Sequence, residues 1–263
     1  NDNWIDLIVV GEWTPIMFFK NMDGKLVEDK SLIDQDSTRG WWYDITSEDF
    51  DNDGDMDLVV GNLGNNYKYQ ANEDETFDIF YNDFDGNNSG DIVLSYYNDG
   101  EQYPLRGRQC SSEQIPAIKL KFDDYDAFSI ATLEDVYTEP ALENSLHYFT
   151  KTFSSVYLEN TGNSFNMSNL PVLAQLSSVN KILKKDIDND GFVDIIISGN
   201  MFNSEVETPR NDGSVGVYLK FDPNTGFNAI PSRQSGLFLN GDVKDMEFIS
   251  LNNNDYIISS KNN

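Results

Sequence analysis

One short motif recurs along the chain and constrains its fold more than any other feature. Residues 49–62 read DFDNDGDMDLVVGN, and residues 186–200 read DIDNDGFVDIIISGN. Residues 83–95, DFDGNNSGDIVLS, form a looser copy. Each copy is an acidic loop rich in Gly and Asn that leads into a short apolar run. A repeat of this kind indicates a serial architecture in which each copy belongs to one supersecondary unit.

The start of the chain matches the second half of the same motif. Residues 1–11 read NDNWIDLIVVG, which places Asp6 opposite Asp57 and Asp2 opposite Asp53. We therefore expect a further copy that is cut within its loop, where Asp2 and Asp6 could not form a full site. We also expect that residues upstream, including any targeting signal, are missing.

The apolar runs predict strands that are buried on both faces, because short continuous apolar segments bounded by turn residues are typical of such strands. Further strand-like stretches lie between the copies, separated by turn signals. They are 15–20, 41–48, 77–82, 153–159, 214–221, 243–250 and 255–260. Serial antiparallel units favour an all-β fold, a β-propeller with a partial ring of about four to five blade-equivalents. We expect one propeller fragment that spans residues 1–263.

A stretch of about residues 106–150 departs from the β pattern. Few turn residues occur between 111 and 146, and apolar residues recur there at spacings that allow short amphipathic helices. These residues are Ile115, Ile118, Leu120, Phe122, Phe128, Ile130, Leu133 and Val136. We expect a helical insertion between two strands of the β framework. The alternative is an irregular loop with a single helical turn.

The acidic loops carry the strongest chemical signal. We name them loop A (residues 49–57), loop B (residues 83–91) and loop C (residues 186–194). Positions 1, 3, 5 and 9 are Asp49, Asp51, Asp53 and Asp57 in loop A, Asp83, Asp85, Asn87 and Asp91 in loop B, and Asp186, Asp188, Asp190 and Asp194 in loop C. Position 7 would add a backbone carbonyl from Asp55, Ser89 or Phe192. Hard oxygen ligands of this number favour calcium, so we expect about three Ca²⁺ sites.

Two further positions refine this interpretation. Position 6 must turn sharply, which suits Gly54 and Gly191, and Asn88 is the best substitute. Position 12 of an EF-hand loop is a bidentate Glu, whereas Val60 and its counterparts stand there within an apolar strand. The sequence therefore predicts a calcium loop on a β-hairpin. The alternative, a solvated acidic turn, is disfavoured because carboxylates this close repel without a counter-ion. Asn87 and Asn88 lower the charge of loop B and predict the weakest affinity there.

These loops resemble the FG-GAP/VCBS repeats of integrin-α-type β-propellers, in which a DxDxDGxxD calcium loop precedes a hydrophobic strand and Gly. GWWYDI (40–45), IFYNDFDGNNSGDIVLSYY (79–97), YPL (103–105) and VYLENTGNSF (156–165) extend the match. They look like the C-terminal part of large bacterial VCBS-repeat proteins, which sometimes carry ASPIC/UnbV domains and are common in Bacteroidota. The resemblance implies a calcium-stabilised propeller, exported and surface-associated, without established catalysis.

Composition narrows the class of partner. The chain of 263 residues has 18 Lys and Arg against 45 Asp and Glu, a net charge of −27. This acidity disfavours nucleic acid, whose phosphates are bound by cationic side chains, and it favours bound cations. No apolar run reaches the length of a membrane span, about 18 residues. We expect a protein or glycan ligand and an extracellular, cell-surface or periplasmic location.

A second candidate site combines aromatic and basic residues. Tryptophan and arginine are common at binding interfaces, and in an acidic chain they suggest an anionic ligand. The candidates are Trp13, Arg39, Trp41, Trp42, Arg106 and Arg108. The alternative is that the tryptophans pack between blades and the arginines pair with local acids.

The function expected is that of a noncatalytic, calcium-binding recognition or scaffold module. One alternative is a polysaccharide lyase or hydrolase built on a propeller, because a fold does not fix a function. Another is a structural part of a larger secreted assembly. His147 is the single histidine, and Ser145 or Ser154 could join it in a triad, but no G-x-S-x-G sequence supports this. Cys110 is the single cysteine, which excludes an internal disulfide.

Overall fold

The computed structural model describes residues 4–204, 207–252 and 254–262, so Asp2 of the partial copy lies outside the described residues. It is built mainly of antiparallel strands, which confirms the predicted all-β class. In chain order, the strands are β1 (Leu7–Val9), β2 (Glu12–Thr14), β3 (Met17–Met22), β4 (Lys25–Glu28), β5 (Gly40–Trp41), β6 (Asp44–Glu48), β7 (Asp57–Gly61), β8 (Phe77–Asn82), β9 (Asp91–Asn98), β10 (Glu101–Pro104), β11 (Leu146–Thr150), β12 (Val156–Asn160), β13 (Phe165–Asn169), β14 (Val179–Lys185), β15 (Asp194–Gly199), β16 (Val217–Asp222), β17 (Gly226–Ile230), β18 (Asp242–Leu251) and β19 (Asn254–Asn262). The helices are α1 (Arg108–Gln114), α2 (Ala117–Lys121), α3 (Tyr125–Ser129), α4 (Leu133–Tyr137), α5 (Glu139–Glu143) and α6 (Ser232–Ser235), and Asp36–Thr38 and Val172–Gln175 are 3₁₀ turns.

The chain forms two compact units. Unit 1 comprises Asn1–Lys68 and Phe153–Asn263, and unit 2 comprises Tyr69–Thr152, which is therefore inserted in the sequence of unit 1. The predicted insertion at about 106–150 covers only the part of unit 2 that holds α1 to α5 and β11. Strands β8, β9 and β10 belong to the same unit because β8 pairs with β11.

Unit 1 contains sheets that follow one another along the chain. Their strand orders are β1-β3-β4, β6-β7-β12-β13, β14-β15-β16-β17 and β18-β19, with β2 and β5 as a further short pair. In both four-stranded sheets the strands are hydrogen-bonded in sequence order. This meander is the pattern of a propeller blade.

In the two four-stranded sheets of unit 1, the second strands β7 and β15 are buried on both faces, as the apolar runs predict. The same prediction is wrong for β1 and β9, where Leu7 is 43% and Ile92 is 49% exposed. Successive side chains of a strand point to opposite faces, so Val60 packs in a cluster with Phe18 of β3, and Val59 packs in a cluster with Ile195 of β15. Ile196 in turn shares a cluster with Met246 of β18. Apolar clusters thus join each sheet of unit 1 to the next.

A buried asparagine follows the second strand of each four-stranded sheet and satisfies the backbone groups where the strand pairing ends. The Asn62 amide donates to the Ser154 carbonyl at 3.2 Å. The Asn200 amide donates to the carbonyls of Ser214 at 2.8 Å and Gly241 at 2.9 Å. Buried polar groups need hydrogen-bond partners. The two asparagine side chains supply these partners to backbone carbonyls that no neighbouring strand reaches.

Unit 2 packs its helices against a sheet of order β10-β9-β8-β11. Phe80 and Val93 of the sheet share a core with residues of the helices. The short amphipathic helices predicted there are present, but Leu120 and Ile130 are 85% and 78% exposed. Each lies two residues beyond a buried position, about 200° around a helix axis, so it points away from the core. Among the described residues, no helix has the length and hydropathy needed to cross a membrane.

Candidate metal-binding loops

Each acidic loop closes a β-hairpin at the same register. The residue before position 1 pairs with the aspartate at position 9, which gives the pairs Glu48–Asp57, Asn82–Asp91 and Lys185–Asp194. Position 12 lies within β7, β9 or β15. The prediction of an acidic loop on a hairpin is therefore confirmed, and a helix does not follow any of these loops, as it would in an EF-hand.

Two positions in every loop adopt left-handed backbone. Position 6 does so at Gly54, Asn88 and Gly191, with φ of +99°, +64° and +92°, as predicted. Position 4 does so as well, at Asn52 and Asn189 with φ of +61° and +59°, and at Gly86 with φ of +75°. Gly and Asn are the residues that tolerate this region. Loop B thus exchanges the order of Gly and Asn but keeps the backbone path.

The aspartate at position 1 fixes the curl of each loop. In loop A, the Asp49 carboxylate accepts hydrogen bonds from the backbone of Asp53 at 3.0 Å and of Gly54 at 3.1 Å. Asp83 accepts the equivalent bonds in loop B at 3.0 and 2.8 Å, and Asp186 in loop C at 3.2 and 3.1 Å. The recurring bonds fold the backbone inward, so the acidic side chains converge.

The convergence brings several carboxylates within reach of one ion. In each of three groups, one oxygen from each residue lies within 4.8 Å of the others. The groups are Asp49, Asp51 and Asp53 in loop A, Asp83, Asp85 and Asp91 in loop B, and Asp186, Asp188 and Asp190 in loop C. Positions 1 and 3 belong to every group.

Position 9 has a structural role that the sequence did not reveal. Asp57 is fully buried. Its carboxylate accepts hydrogen bonds from the backbone N–H groups of Phe50 at 3.3 Å and Asn160 at 2.8 Å, and from the Tyr157 hydroxyl at 2.7 Å. In the partial copy, the Asp6 carboxylate accepts a hydrogen bond from the backbone N–H of Asn21 at 2.8 Å. In loop A and in the partial copy, the carboxylate at position 9 therefore joins the loop to the strand that pairs with the apolar run, whereas Asp91 of loop B accepts from the Phe84 backbone N–H at 3.0 Å.

Loop C repeats this arrangement closely. Asp194 accepts from the Ile187 amide at 3.2 Å, the Tyr218 hydroxyl at 2.7 Å and the Phe221 amide at 3.0 Å. Burial raises the pKa of Asp194, although these hydrogen bonds act in the opposite direction. Both of its oxygens are engaged in holding strands together.

Loop A carries an excess of negative charge. Burial, followed by the nearby carboxylates of Asp53 and Asp49, raises the pKa of Asp51. Burial, followed by the carboxylates of Asp53, Asp51 and Asp49, raises the pKa of Asp55. The Oδ1 atom of Asp55 is buried without a hydrogen-bond partner within the described chain. The orphaned oxygen has lone pairs that no loop N–H reaches. The converging carboxylates of loop A form an all-oxygen donor set, which fits a hard cation such as Ca²⁺.

Loop C differs because a lysine offsets part of its negative charge. The Lys220 ammonium of β16 is paired with Asp188 and lies 2.9 Å from Asp190 Oδ2. This contact lowers the pKa of Asp190. Loops A and C also touch, since the Asn52 amide donates to the Gly191 carbonyl at 3.0 Å.

The aromatic and basic candidates fall in different units. Trp13, Arg39, Trp41 and Trp42 belong to unit 1, and Arg106 and Arg108 belong to unit 2. Trp42 is 2% exposed and lies in the core, with its indole N–H donating to the Thr38 carbonyl at 3.0 Å. Trp13 and Trp41 meet edge to face with 4.8 Å between ring centroids. Arg39 pairs with Asp36 at 2.9 Å.

His147 forms a hydrogen bond that the sequence did not predict. Its Nε2 lies 2.6 Å from Oδ1 of buried Asp78, and its ring stacks on Phe80 with 4.2 Å between centroids. The Ser145 hydroxyl donates to the Ala141 carbonyl instead. Within the described ranges, no serine hydroxyl is hydrogen-bonded to His147.

Comparison with known families supports the repeat type. Residues 1–60 match the family model of the FG-GAP-like repeat. The matched segment contains the partial copy and loop A, and it ends within β7. A comparison with curated proteins gave no match. FG-GAP-like repeats are characteristic of propeller-type recognition or scaffold modules, which are generally non-catalytic, and this supports that broad class here.

Proposed function

We propose that this protein is a calcium-stabilised β-propeller module that acts outside the cytoplasm in recognition or as a scaffold, without catalysis. The observation that carries the proposal is the recurrence of one hairpin loop in which aspartates converge within 4.8 Å. Positions 1, 3 and 5 would supply side-chain oxygens, and position 7 would supply its backbone carbonyl. The position 9 carboxylate lies within the converging group only in loop B, at Asp91, because Asp57 and Asp194 are hydrogen-bonded to the third strand. The FG-GAP-like match over residues 1–60 supports the same class.

Calcium would supply positive charge where the chain concentrates negative charge. The binding free energy of an ion held only by the folded loop adds to the free energy of unfolding. Extracellular calcium modules bind weakly, with Kd of about 10⁻⁴ to 10⁻³ M, which suits an exported setting. The ligand would be a protein or a glycan at the cell surface.

The proposal is tested by thermal unfolding in EGTA, in millimolar CaCl₂ and in millimolar MgCl₂. Calcium should raise the melting temperature, and magnesium should raise it less because it demands stricter octahedral geometry. Asp51→Asn and Asp188→Asn should each reduce the calcium response, whereas Asp23→Asn, in a turn outside the loops, should not. Equal melting curves in EGTA, CaCl₂ and MgCl₂ would contradict the proposal that calcium stabilises the protein.

A further inference from the structure

A cavity of about 330 Å³ lies in unit 2, where the β9–β10 hairpin meets α1 and α3. The rings of Tyr96, Tyr103 and Tyr125 line it, together with Arg106 and Arg108. Its size is at the lower end of the range for small-molecule sites. Aromatic walls with a few polar groups are the usual lining of such sites.

Arg108 is a buried cation that has no ion-pair partner within the described part of the chain. It is 8% exposed, and its guanidinium donates to the carbonyls of Phe122 at 2.7 Å and Asp123 at 3.1 Å. The guanidinium also lies 5.2 Å from the Tyr125 ring centroid. These contacts orient the group and leave donors of its five N–H unassigned. Burying an unpaired charge is costly, so an anion in the cavity would stabilise this arrangement.

Arg106 adds a second positive charge to the same cavity. It is exposed, and among the residues that the structure describes no carboxylate lies within ion-pair distance of Arg106 or Arg108. Some other basic side chains are paired, such as Arg39 with Asp36 at 2.9 Å and Lys151 with Glu73 at 2.6 Å, but it is the position of Arg106 and Arg108 on one cavity that distinguishes them. In a chain of net charge −27, two unpaired arginines at one cavity mark a place where an anion can bind.

The tyrosines indicate what the anion is attached to. Tyr96 and Tyr103 lie side by side with 6.3 Å between ring centroids, and their rings offer flat apolar surface with a hydroxyl at one end. A sugar ring has apolar C–H faces and polar edges, which match this surface. A guanidinium matches the planar geometry of a carboxylate. Phosphate and sulfate have no ring to use the aromatic wall.

We propose that this cavity binds a uronate, the carboxylate-bearing sugar of acidic polysaccharides. The carboxylate would pair with Arg106 and Arg108, and the sugar ring would stack on the tyrosines. The inference rests on the proposed recognition role and names its ligand class.

The test uses the full chain and isothermal titration calorimetry with digalacturonate and with neutral galactobiose, in EGTA and in calcium. Digalacturonate should bind at least about tenfold more tightly than galactobiose, because charge-assisted hydrogen bonds carry the difference. Arg106→Gln and Arg108→Gln should each weaken digalacturonate binding at least about tenfold. Tyr125→Leu should weaken the binding of both sugars. Arg233→Gln, the same change of charge on α6 of unit 1, should leave binding unchanged.

Three results would overturn the inference. The first is equal affinity for the two sugars, and the second is an unchanged affinity of the Arg106→Gln variant for digalacturonate. The third is displacement of digalacturonate by phosphate or a glutamate peptide at equal concentration. If Arg108→Gln does not fold, Arg106→Gln decides, because Arg106 is exposed. A calcium-dependent melting temperature without uronate binding overturns this inference alone, and uronate binding without a calcium effect overturns the calcium role alone.

Discussion

At the scale of single residues, one position on the third strand of each four-stranded sheet of unit 1, β12 or β16, places a charged side chain beside the acidic loop. Glu159 and Lys220 are equivalent, because each precedes the residue whose amide binds the aspartate at position 9. Lys220 pairs with Asp188 and Asp190, whereas Glu159 adds to the negative charge around Asp51. Loop C therefore contains a tethered counter-ion, and loop A does not.

Exchanging these charges should exchange the calcium dependence of the loops. Lys220→Glu should lower the melting temperature in EGTA, because it replaces the positive charge beside Asp188 and Asp190 by a further negative charge. It should also enlarge the rise on adding calcium. Glu159→Lys should raise the melting temperature in EGTA and shrink the calcium response. Lys25→Glu on β4 is the matched control, and an equal effect from it would contradict the assignment.

The raised pKa values in loop A predict a dependence on pH in the absence of metal. A carboxyl whose pKa is raised above 3.8 on folding binds more protons in the folded state, so its contribution to stability falls as pH rises through the folded pKa. The double variant Asp51→Asn, Asp55→Asn should therefore melt higher than the parent in EGTA near neutral pH. This advantage should shrink towards about pH 4. A difference that stays constant with pH would argue against the shifts.

At the scale of elements, a tyrosine on the third strand joins that strand to the loop. The segment VYL occurs at 156–158 and at 217–219, and the hydroxyls of Tyr157 and Tyr218 each lie 2.7 Å from the aspartate at position 9. In the sheet that contains the partial copy, Phe18 occupies this position. The tyrosine thus accompanies the complete loops of unit 1.

Removing the hydroxyl should destabilise the protein even with calcium present. Tyr218→Phe would leave a buried carboxylate oxygen of Asp194 with a single hydrogen bond, from Ile187. Hydrogen bonds to charged groups contribute about 1.5–3 kcal/mol. Chemical denaturation at saturating calcium measures the loss. Tyr256→Phe, on the exposed part of β19, should change the free energy of unfolding by less than about 0.5 kcal/mol.

The hairpin loops could be predicted from the sequence because their chemistry is local. Positions 1 to 9 and the apolar strand lie within a dozen or so residues, so spacing alone reveals them. The partner of position 9 lies far away in the chain, with Tyr157 and Asp57 separated by 100 residues. No local pattern links such residues, although the repeated VYL was a signal that could have been used.

At the scale of the whole molecule, unit 2 interrupts a sheet between its second and third strands, β7 and β12. The sequence did not reveal where unit 2 begins, because loop B has the same pattern as the loops of unit 1. Local periodicity assigns β8 and β9 to the framework, and only the pairing of β8 with β11, and of β9 with β8, places them elsewhere. The boundary depends on long-range contacts.

Replacing residues 69–152 by a short Gly/Ser linker should leave unit 1 folded. The Gly64 amide donates to the Phe153 carbonyl at 2.8 Å, so the two ends of unit 1 already meet. The shortened chain should melt cooperatively and keep the calcium response of loops A and C. Circular dichroism would measure the melting. A loss of cooperative melting would show that the folding of unit 1 depends on unit 2.

The interruption also affects the order in which the chain can fold as it leaves the ribosome. β7 must wait for β12, since Val60 pairs with Val156, and all of unit 2 is synthesised in between. Such non-local pairing slows folding and leaves apolar strand edges open to aggregation. A unit 2 that folds first would shorten the effective loop and lower the entropic cost of closing it. By folding first, the inserted unit would bring β7 and β12 close together and so speed the formation of the sheet that it interrupts.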